Sequence, residues 1–362
     1  MLRLADMLAM RATPAAGLII EVTRRCPLSC GHCSTSSTMR GSDLDSASAL
    51  QFVEGFSREN RPAIVSLTGG EPLLRPDFVK SISKLCNAVN TRVHLLTGLF
   101  FARSSRIPAP INDALRSIDH MAASLDRFHE RELSRERVFF ALDAVLEMGK
   151  EVSLQILGYD ESDPYLDDVV ADVTTRFGDR VPMLISSVRA IGRGRNLEIL
   201  KRRSPSKVGE SGLSADSISP CSMAAWPVIC SDGRITGCCN QEVVDGLRVE
   251  HLTLGHVATT NWSLIRHKMS VDPVLRCLRA VGPRFLGERT GTGYSDSYCH
   301  ACHRLSDRED VKETVGSTIP APLLEVIEEL AVARFDDDNA RATGFADEYG
   351  VSRFAHLATL GR

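Results

Sequence analysis

The 362-residue chain is 43% hydrophobic and 25% charged, with a formal net charge of −3, a balance that suits a globular enzyme able to bury a sizeable core. That charge leaves no electrostatic footprint for nucleic acid or an anionic bilayer, and no apolar run reaches the ~18 residues needed to cross a membrane. The first residues lack the continuous apolar core of a secretion signal, so the protein is expected to be cytoplasmic, with neither nucleic acid nor membrane as a partner.

In chain order, residues 1–16 form a weakly amphipathic N-terminal segment. "GLIIEVT" (17–23) is an apolar, β-branched run that predicts a buried strand leading into a cysteine-rich loop. A helix follows, with Ser42 or Asp43 available as its cap. The alternation then repeats as strand 63–68, helix 76–88, strand 92–97, helix 109–117, strand 120–125 and helix 134–148. Strand 151–157, helix 165–176 and strand 181–188 complete it. Such alternation implies parallel strands joined by right-handed crossovers. Six units are too few for an eight-stranded barrel, so residues 17–195 are expected to form an α/β partial (β/α)6 TIM barrel. Sites in such folds lie beyond the carboxyl ends of the strands, where the cysteine loop sits.

The pattern breaks near residue 192, and the Gly-, Ser- and Arg-rich stretch 196–218 reads as a linker. "WPVICSDGRITGCC" (226–239) predicts a hairpin turning at Asp232 and Gly233. It falls within 219–305, expected to be a small C-terminal α+β domain. Residues 306–362 read as a helical tail in which "APLLEVIEELAVARF" (321–335) is a docking helix.

Eleven cysteines are many for a reducing compartment, where clustered thiols indicate metal or catalysis rather than disulfides. Cys86 and Cys277 stand alone and read as small buried apolar side chains. "CPLSCGHC" (26–33) holds Cys26, Cys30 and Cys33. A structural zinc ion would need a fourth ligand, and His32, adjacent to Cys33, is poorly placed to supply it. Three thiolates suit an iron–sulfur cubane that keeps one iron without a protein ligand, the open position that catalysis requires.

"CPLSCGHC" after the first strand resembles the CxxxCxxC signature of the radical S-adenosylmethionine (radical SAM) enzymes. "SLTGGEPLLRPD", at the end of the second strand, resembles their GGEP motif through Gly69, Gly70, Glu71 and Pro72. The resemblance implies a [4Fe–4S] cluster on Cys26, Cys30 and Cys33 whose open iron takes the methionine end of SAM. Gly69 and Gly70 would let backbone approach that end, and Glu71 would support the loop or the ammonium. One-electron cleavage of SAM then gives a 5′-deoxyadenosyl radical that abstracts hydrogen from unactivated carbon. Ser124 and Asp126 fall where family members contact the ribose, though a strand end capping the next loop reads equally from these residues. Arg189 falls on the stretch that passes the adenine, which could also be a surface loop. His32 stands where the family often has an aromatic residue, and "LLTGL" keeps Thr97 and Gly98 of a Thr-Asn-Gly pattern without its Asn.

Cys221, Cys238, Cys299 and Cys302 resemble the ligands of a shortened SPASM domain, a twitch domain, which implies one auxiliary [4Fe–4S] cluster. Two distant cysteines plus a CxxC also suit a zinc ribbon. Cys239 could replace Cys238, since neighbours on a strand point to opposite faces. Cys230 and Cys239 are the candidate catalytic thiols, because related enzymes use a free cysteine to return hydrogen to a product radical. The implied partners are an electron donor such as flavodoxin or ferredoxin and a peptide or small-molecule substrate. The first reading is maturation of a ribosomally made peptide. The alternative is oxidation or epimerisation of a small metabolite such as an aminosugar. With the first strand starting at Gly17, the chain is expected to have no room for an N-terminal leader-binding domain, which counts against the peptide reading unless that module is a separate protein.

Overall fold

The computed structural model describes residues 1–104, 106–202, 219–292, 297–307, 310–333 and 337–361. The N-terminal segment contains a short helix, α1 (Leu4–Ala9), whose Asp6 carboxylate accepts the Arg3 N–H at 2.9 Å. The helix is followed by β1 (Gly17–Thr23), α2 (Ser46–Glu54), β2 (Ile64–Gly69), α3 (Pro76–Ala88), β3 (Arg92–Thr97) and α4 (Ala109–Ser117). Then come β4 (His120–Ser124), α5 (Arg135–Glu147), β5 (Glu151–Gly158), α6 (Pro164–Phe177), β6 (Met183–Ser187) and α7 (Glu198–Arg202). Local chemistry sets several starts. Asp45 accepts the Ser48 N–H to cap α2, and Asp163 accepts the Tyr165 N–H ahead of Pro164 to cap α6.

Strands β1 to β6 pair in parallel and in sequence order, each with its neighbour. The sheet is not closed, as expected for a partial barrel. On β1, Leu18, Ile20 and Val22 are fully buried and lie on one face, joined in the core by Val65, Leu67, Val93 and Leu95.

The second half begins by extending the same sheet. β7 (Val228–Ile229) pairs in parallel with β1, Ile19 against Val228 and Ile20 against Ile229. It turns back at Gly233 into β8 (Arg234–Thr236). After α8 (Gln241–Val244), β9 (Thr253–His256), absent from the sequence reading, completes one nine-stranded sheet in the order β6-β5-β4-β3-β2-β1-β7-β8-β9. The expected hairpin is therefore a continuation of the barrel sheet beyond β1. Two-residue strands carry too little pattern to reveal which edge they join.

The remaining helices are α9 (Trp262–Val271), α10 (Pro273–Thr290), α11 (Tyr298–Arg304), α12 (Val311–Thr318), α13 (Ala321–Ala333) and α14 (Asp338–Tyr349). The expected docking helix corresponds to α13, held to α10 by Glu328, which accepts from Arg276 at 2.7 Å and Arg279 at 2.9 Å. Its Leu323, Val326 and Leu330 remain exposed. The C-terminal tail returns to the start of the chain, where Leu4, Met7 and Leu8 pack with Trp226, Ala342 and Ala346. The expected linker begins with α7, and its residues 203–218 lie outside the described residues. Among the described residues, no helix is long and apolar enough to cross a membrane.

Glu21 on β1 ties the sheet to the second half. Its carboxylate accepts the Ser231 N–H at 2.8 Å and the Arg24 guanidinium at 3.0 Å. Arg24 in turn pairs with Asp245 at 2.7 Å. Glu21→Ala leaves the buried Ser231 N–H without its acceptor and Arg24 with one carboxylate partner fewer, and should cost about 1–3 kcal/mol in urea unfolding. A loss below a few tenths would contradict this role.

Candidate functional site: two cysteine cavities with a common wall

The first cysteine loop contains little regular structure and is shaped by its neighbours. After β2, the Gly70 N–H donates to the Thr23 carbonyl at 2.6 Å and the Glu71 N–H to the Arg25 carbonyl at 2.8 Å. Gly69 has φ of +136°, and a Cβ there would lie 2.3 Å from the Thr23 carbonyl oxygen. At Gly70 a Cβ would lie 2.3 Å from that of Arg25. The two glycines thus admit the backbone of the cysteine loop, and both also line the cavity it borders.

Glu71 is fully buried and acts as a bracket. It accepts the Leu73 N–H at 3.0 Å, the Thr97 hydroxyl at 2.9 Å and the Gly98 N–H at 2.9 Å. It does not line the cavity. Of its two expected roles, loop support is the one these bonds describe. Burial raises its pKa to about 7 despite the three donors. Pro72 opens a single 3₁₀ turn and likewise does not line the cavity.

From the other side comes the segment after β6. Arg193 donates to the Cys30 carbonyl at 2.9 Å and the Ser37 carbonyl at 2.6 Å, while its N–H donates to the Cys33 carbonyl at 2.9 Å. Gly192, at φ +50°, passes so close that a Cβ would lie 2.2 Å from the Ser34 carbonyl oxygen. The sequence reading treated this stretch as the start of a break. Its alternating "GRGR" was the available signal, glycine for close approach and arginine for carbonyls.

Cys26, Cys30 and Cys33 face one cavity of about 300 Å³ together with Gly69, Gly70 and Ser124. Burial pushes the Cys26 thiol up to about 12, so a metal must displace its proton on binding. Asp126 does not line this cavity. Its carboxylate caps the next turn, accepting the Phe128 and His129 N–H groups at 2.8 and 3.0 Å. It also pairs with His129 Nδ1 at 2.8 Å and His32 Nε2 at 3.3 Å. The capping alternative describes Asp126, whereas Ser124 stays at the cavity. Burial alone would lower the His129 pKa, but Asp126 outweighs it and raises the value to about 10. His32 stacks on Phe128 with ring centroids 4.8 Å apart, occupying with its own ring the place expected for an aromatic residue.

A second cavity of about 240 Å³ is lined by Cys221, Cys238, Cys239, Cys299 and Cys302, with Tyr298 and Tyr349 beside them. The turn Ser222–Ala225 that Cys221 precedes, the segment after the hairpin with Cys238 and Cys239, and α11 with Cys299 and Cys302 therefore meet at one cavity, with five thiols rather than four. Ser34, Arg189 and Ile191 line both cavities and form their common wall. Arg189, expected as a polar contact, donates to the Tyr349 carbonyl at 3.5 Å. Cys230 lines neither cavity. It is buried beside Val228 and Val244, and burial pushes its thiol up to about 12.

Sulfur spacing bears on which group each site fits. A tetrahedral zinc ion with bonds of about 2.3 Å holds its sulfurs about 3.8 Å apart. Among the described residues, the trio of His, Cys, Asp or Glu whose ligand atoms all lie within 4.8 Å is His32, Asp126 and His129, with no cysteine in it. Among the described residues, no three thiols of either cavity converge to within 4.8 Å of one another, as the ligands of a single zinc ion would.

Residues 20–173 match the Radical SAM superfamily. The chain is 30% identical over 167 residues to the pre-heme d1 synthase of Dinoroseobacter shibae, covering 44% of this chain and 41% of that protein. It is 23% identical over 338 residues to the PqqA peptide cyclase of Gluconobacter oxydans, covering 81% and 84%. The fold is shared with Streptococcus suis SuiB bound to precursor peptide SuiA, at a TM-score of 0.52 and 13% identity over 86% of this chain and 74% of that one.

An acid whose pKa rises on folding holds its proton more tightly in the native state, so stability falls as pH climbs from its unfolded value towards about 7. Glu71→Gln should remove that component. The wild-type minus variant difference in unfolding free energy should shrink between about pH 5 and about pH 8. A constant difference would contradict it.

Proposed function

Since residues 20–173 form a radical SAM domain, we propose that this chain is a radical SAM maturase of a peptide substrate, with two [4Fe–4S] clusters. The observation that carries the reading is the common wall of Ser34, Arg189 and Ile191 between two cysteine-lined cavities. The similarity to a PqqA peptide cyclase over 81% of the chain supports a peptide over a small metabolite.

Cys26, Cys30 and Cys33 would hold the first cluster, and Cys221, Cys299 and Cys302 with Cys238 or Cys239 the second. The first cluster and SAM, when bound, supply one-electron chemistry that opens unactivated C–H bonds. The chain's own contribution is orientation and exclusion of water. Gly69, Gly70 and Thr97 form one wall of the first cavity, with Ser124 and Arg189 as the polar groups for the nucleoside end. Glu71 holds that wall without entering it. A substrate carbon would sit by the common wall, within reach of both sites. Cys239, at the second cavity, and the buried Cys230 are the candidate thiols for hydrogen return, Cys239 only if it is not a ligand. A ligand thiolate has no S–H to give. An electron donor of the flavodoxin or ferredoxin kind and a separate leader-binding protein complete the proposal.

Anaerobically reconstituted protein with reductant should cleave SAM to 5′-deoxyadenosine and methionine, and should contain about eight irons. Replacing Cys26, Cys30 and Cys33 together with Ala should abolish cleavage and leave about four irons. Unchanged cleavage in that variant would overturn the assignment, and stoichiometric zinc in anaerobically purified protein would overturn the second cluster.

A further inference from the structure

The N-terminal segment carries a buried cation that the fold does not explain. Arg11 follows α1, with its N–H donating to the Leu8 carbonyl at 3.1 Å, and is only 8% exposed. Among the described residues no carboxylate pairs with it. Its guanidinium lies over the Trp226 ring, 4.8 Å from the centroid. Nη2 points to two sulfur atoms, Cys239 Sγ at 3.2 Å and Met223 Sδ at 3.6 Å. Nη1 is buried without a hydrogen-bond partner.

A buried guanidinium without an anion is costly, and arginine does not escape by losing its proton. Stacking on Trp226 offsets part of the cost but leaves the charge uncompensated. The anion must therefore come from the side the guanidinium faces, which is the second cysteine cavity. Four thiolates around a [4Fe–4S] core carry net negative charge, and a neutral set of thiols does not. His251 approaches the same group from another direction, its Nε2 lying 3.4 Å from Cys302 Sγ while Nδ1 is fixed by the Ser306 hydroxyl at 3.0 Å.

We infer that Arg11 is the counter-charge of the second cluster and that Cys239 is the thiolate it holds in place. The inference rests on the cluster reading of the second cavity. Arg11 is a positioning residue: its guanidinium fixes the Cys239 sulfur and places a positive charge beside the centre. Hydrogen bonds to cluster sulfurs and nearby charge favour the electron-rich reduced form and so raise the reduction potential. The N-terminal segment is thereby part of the second site, although it precedes the barrel in sequence.

The test uses the full chain with Cys26, Cys30 and Cys33 replaced by Ala, reconstituted anaerobically so that only the second cluster is present. Its reduced-to-oxidised ratio is read by electron paramagnetic resonance in a redox titration. Arg11→Met, which keeps the packing on Trp226, should lower that ratio at fixed potential about tenfold, a shift of about 59 mV for a one-electron couple. Arg11→Lys, which keeps the charge, should recover most of it. An unchanged potential in Arg11→Met with full iron content overturns the inference while leaving the cluster reading intact. A parent that takes up no iron overturns the cluster reading and the inference with it. Cys239→Ser should perturb the spectrum of the second cluster, and a spectrum and potential identical to the parent would remove Cys239 from the role.

Discussion

The shape of the first cysteine loop depends on backbone hydrogen bonds made by two other segments. The loop between β1 and α2 has no ladder of its own. Gly70 and Glu71 donate to the carbonyls of Thr23 and Arg25 on one side, and Arg193 grips the carbonyls of Cys30 and Ser37 on the other. Both grips need close approach, which is why Gly69, Gly70 and Gly192 cannot gain a Cβ without meeting backbone oxygen. Backbone contacts from these segments fix the path of the loop that carries Cys26, Cys30 and Cys33.

The same loop is coupled to the far half of the chain through charge. Glu21 and Arg24 reach across to Ser231 and Asp245, and Arg193 is followed by α7 at the start of the second half. The hairpin that carries Cys238 and Cys239 is hydrogen-bonded directly onto β1. The two cysteine cavities therefore share a sheet as well as a wall. A substrate held at Arg189 would face both sites at once.

The barrel was legible because β1 to β6 are apolar runs and each of β1 to β5 is followed by a helix with an apolar face. The helix at Pro76–Ala88 and the strand at Arg92–Thr97 begin and end where the residues said they would. Cysteine spacing marked both sites, since thiols cluster visibly along a chain. Partnership between distant segments was not legible. Nothing local marks Arg11 as a neighbour of Cys239, 228 residues away, or Trp226 as the ring beneath it. β7 and β9 escaped assignment to the sheet because two to four residues hold no period. Asp126 illustrates a different limit: a strand-end acid reads alike whether it binds a ligand or caps a turn, and here it caps.

The central claim is the proposal of two iron–sulfur sites in adjoining cavities, one on three cysteines and the other on the group around Cys221. Anomalous diffraction at the iron edge, from crystals of anaerobically reconstituted protein, tests it most directly. The account predicts two iron centres, one bounded by Cys26, Cys30 and Cys33 and one by Cys221, Cys299, Cys302 and a cysteine of the 238–239 pair. A single iron centre, or a second peak that appears at the zinc edge, would contradict it.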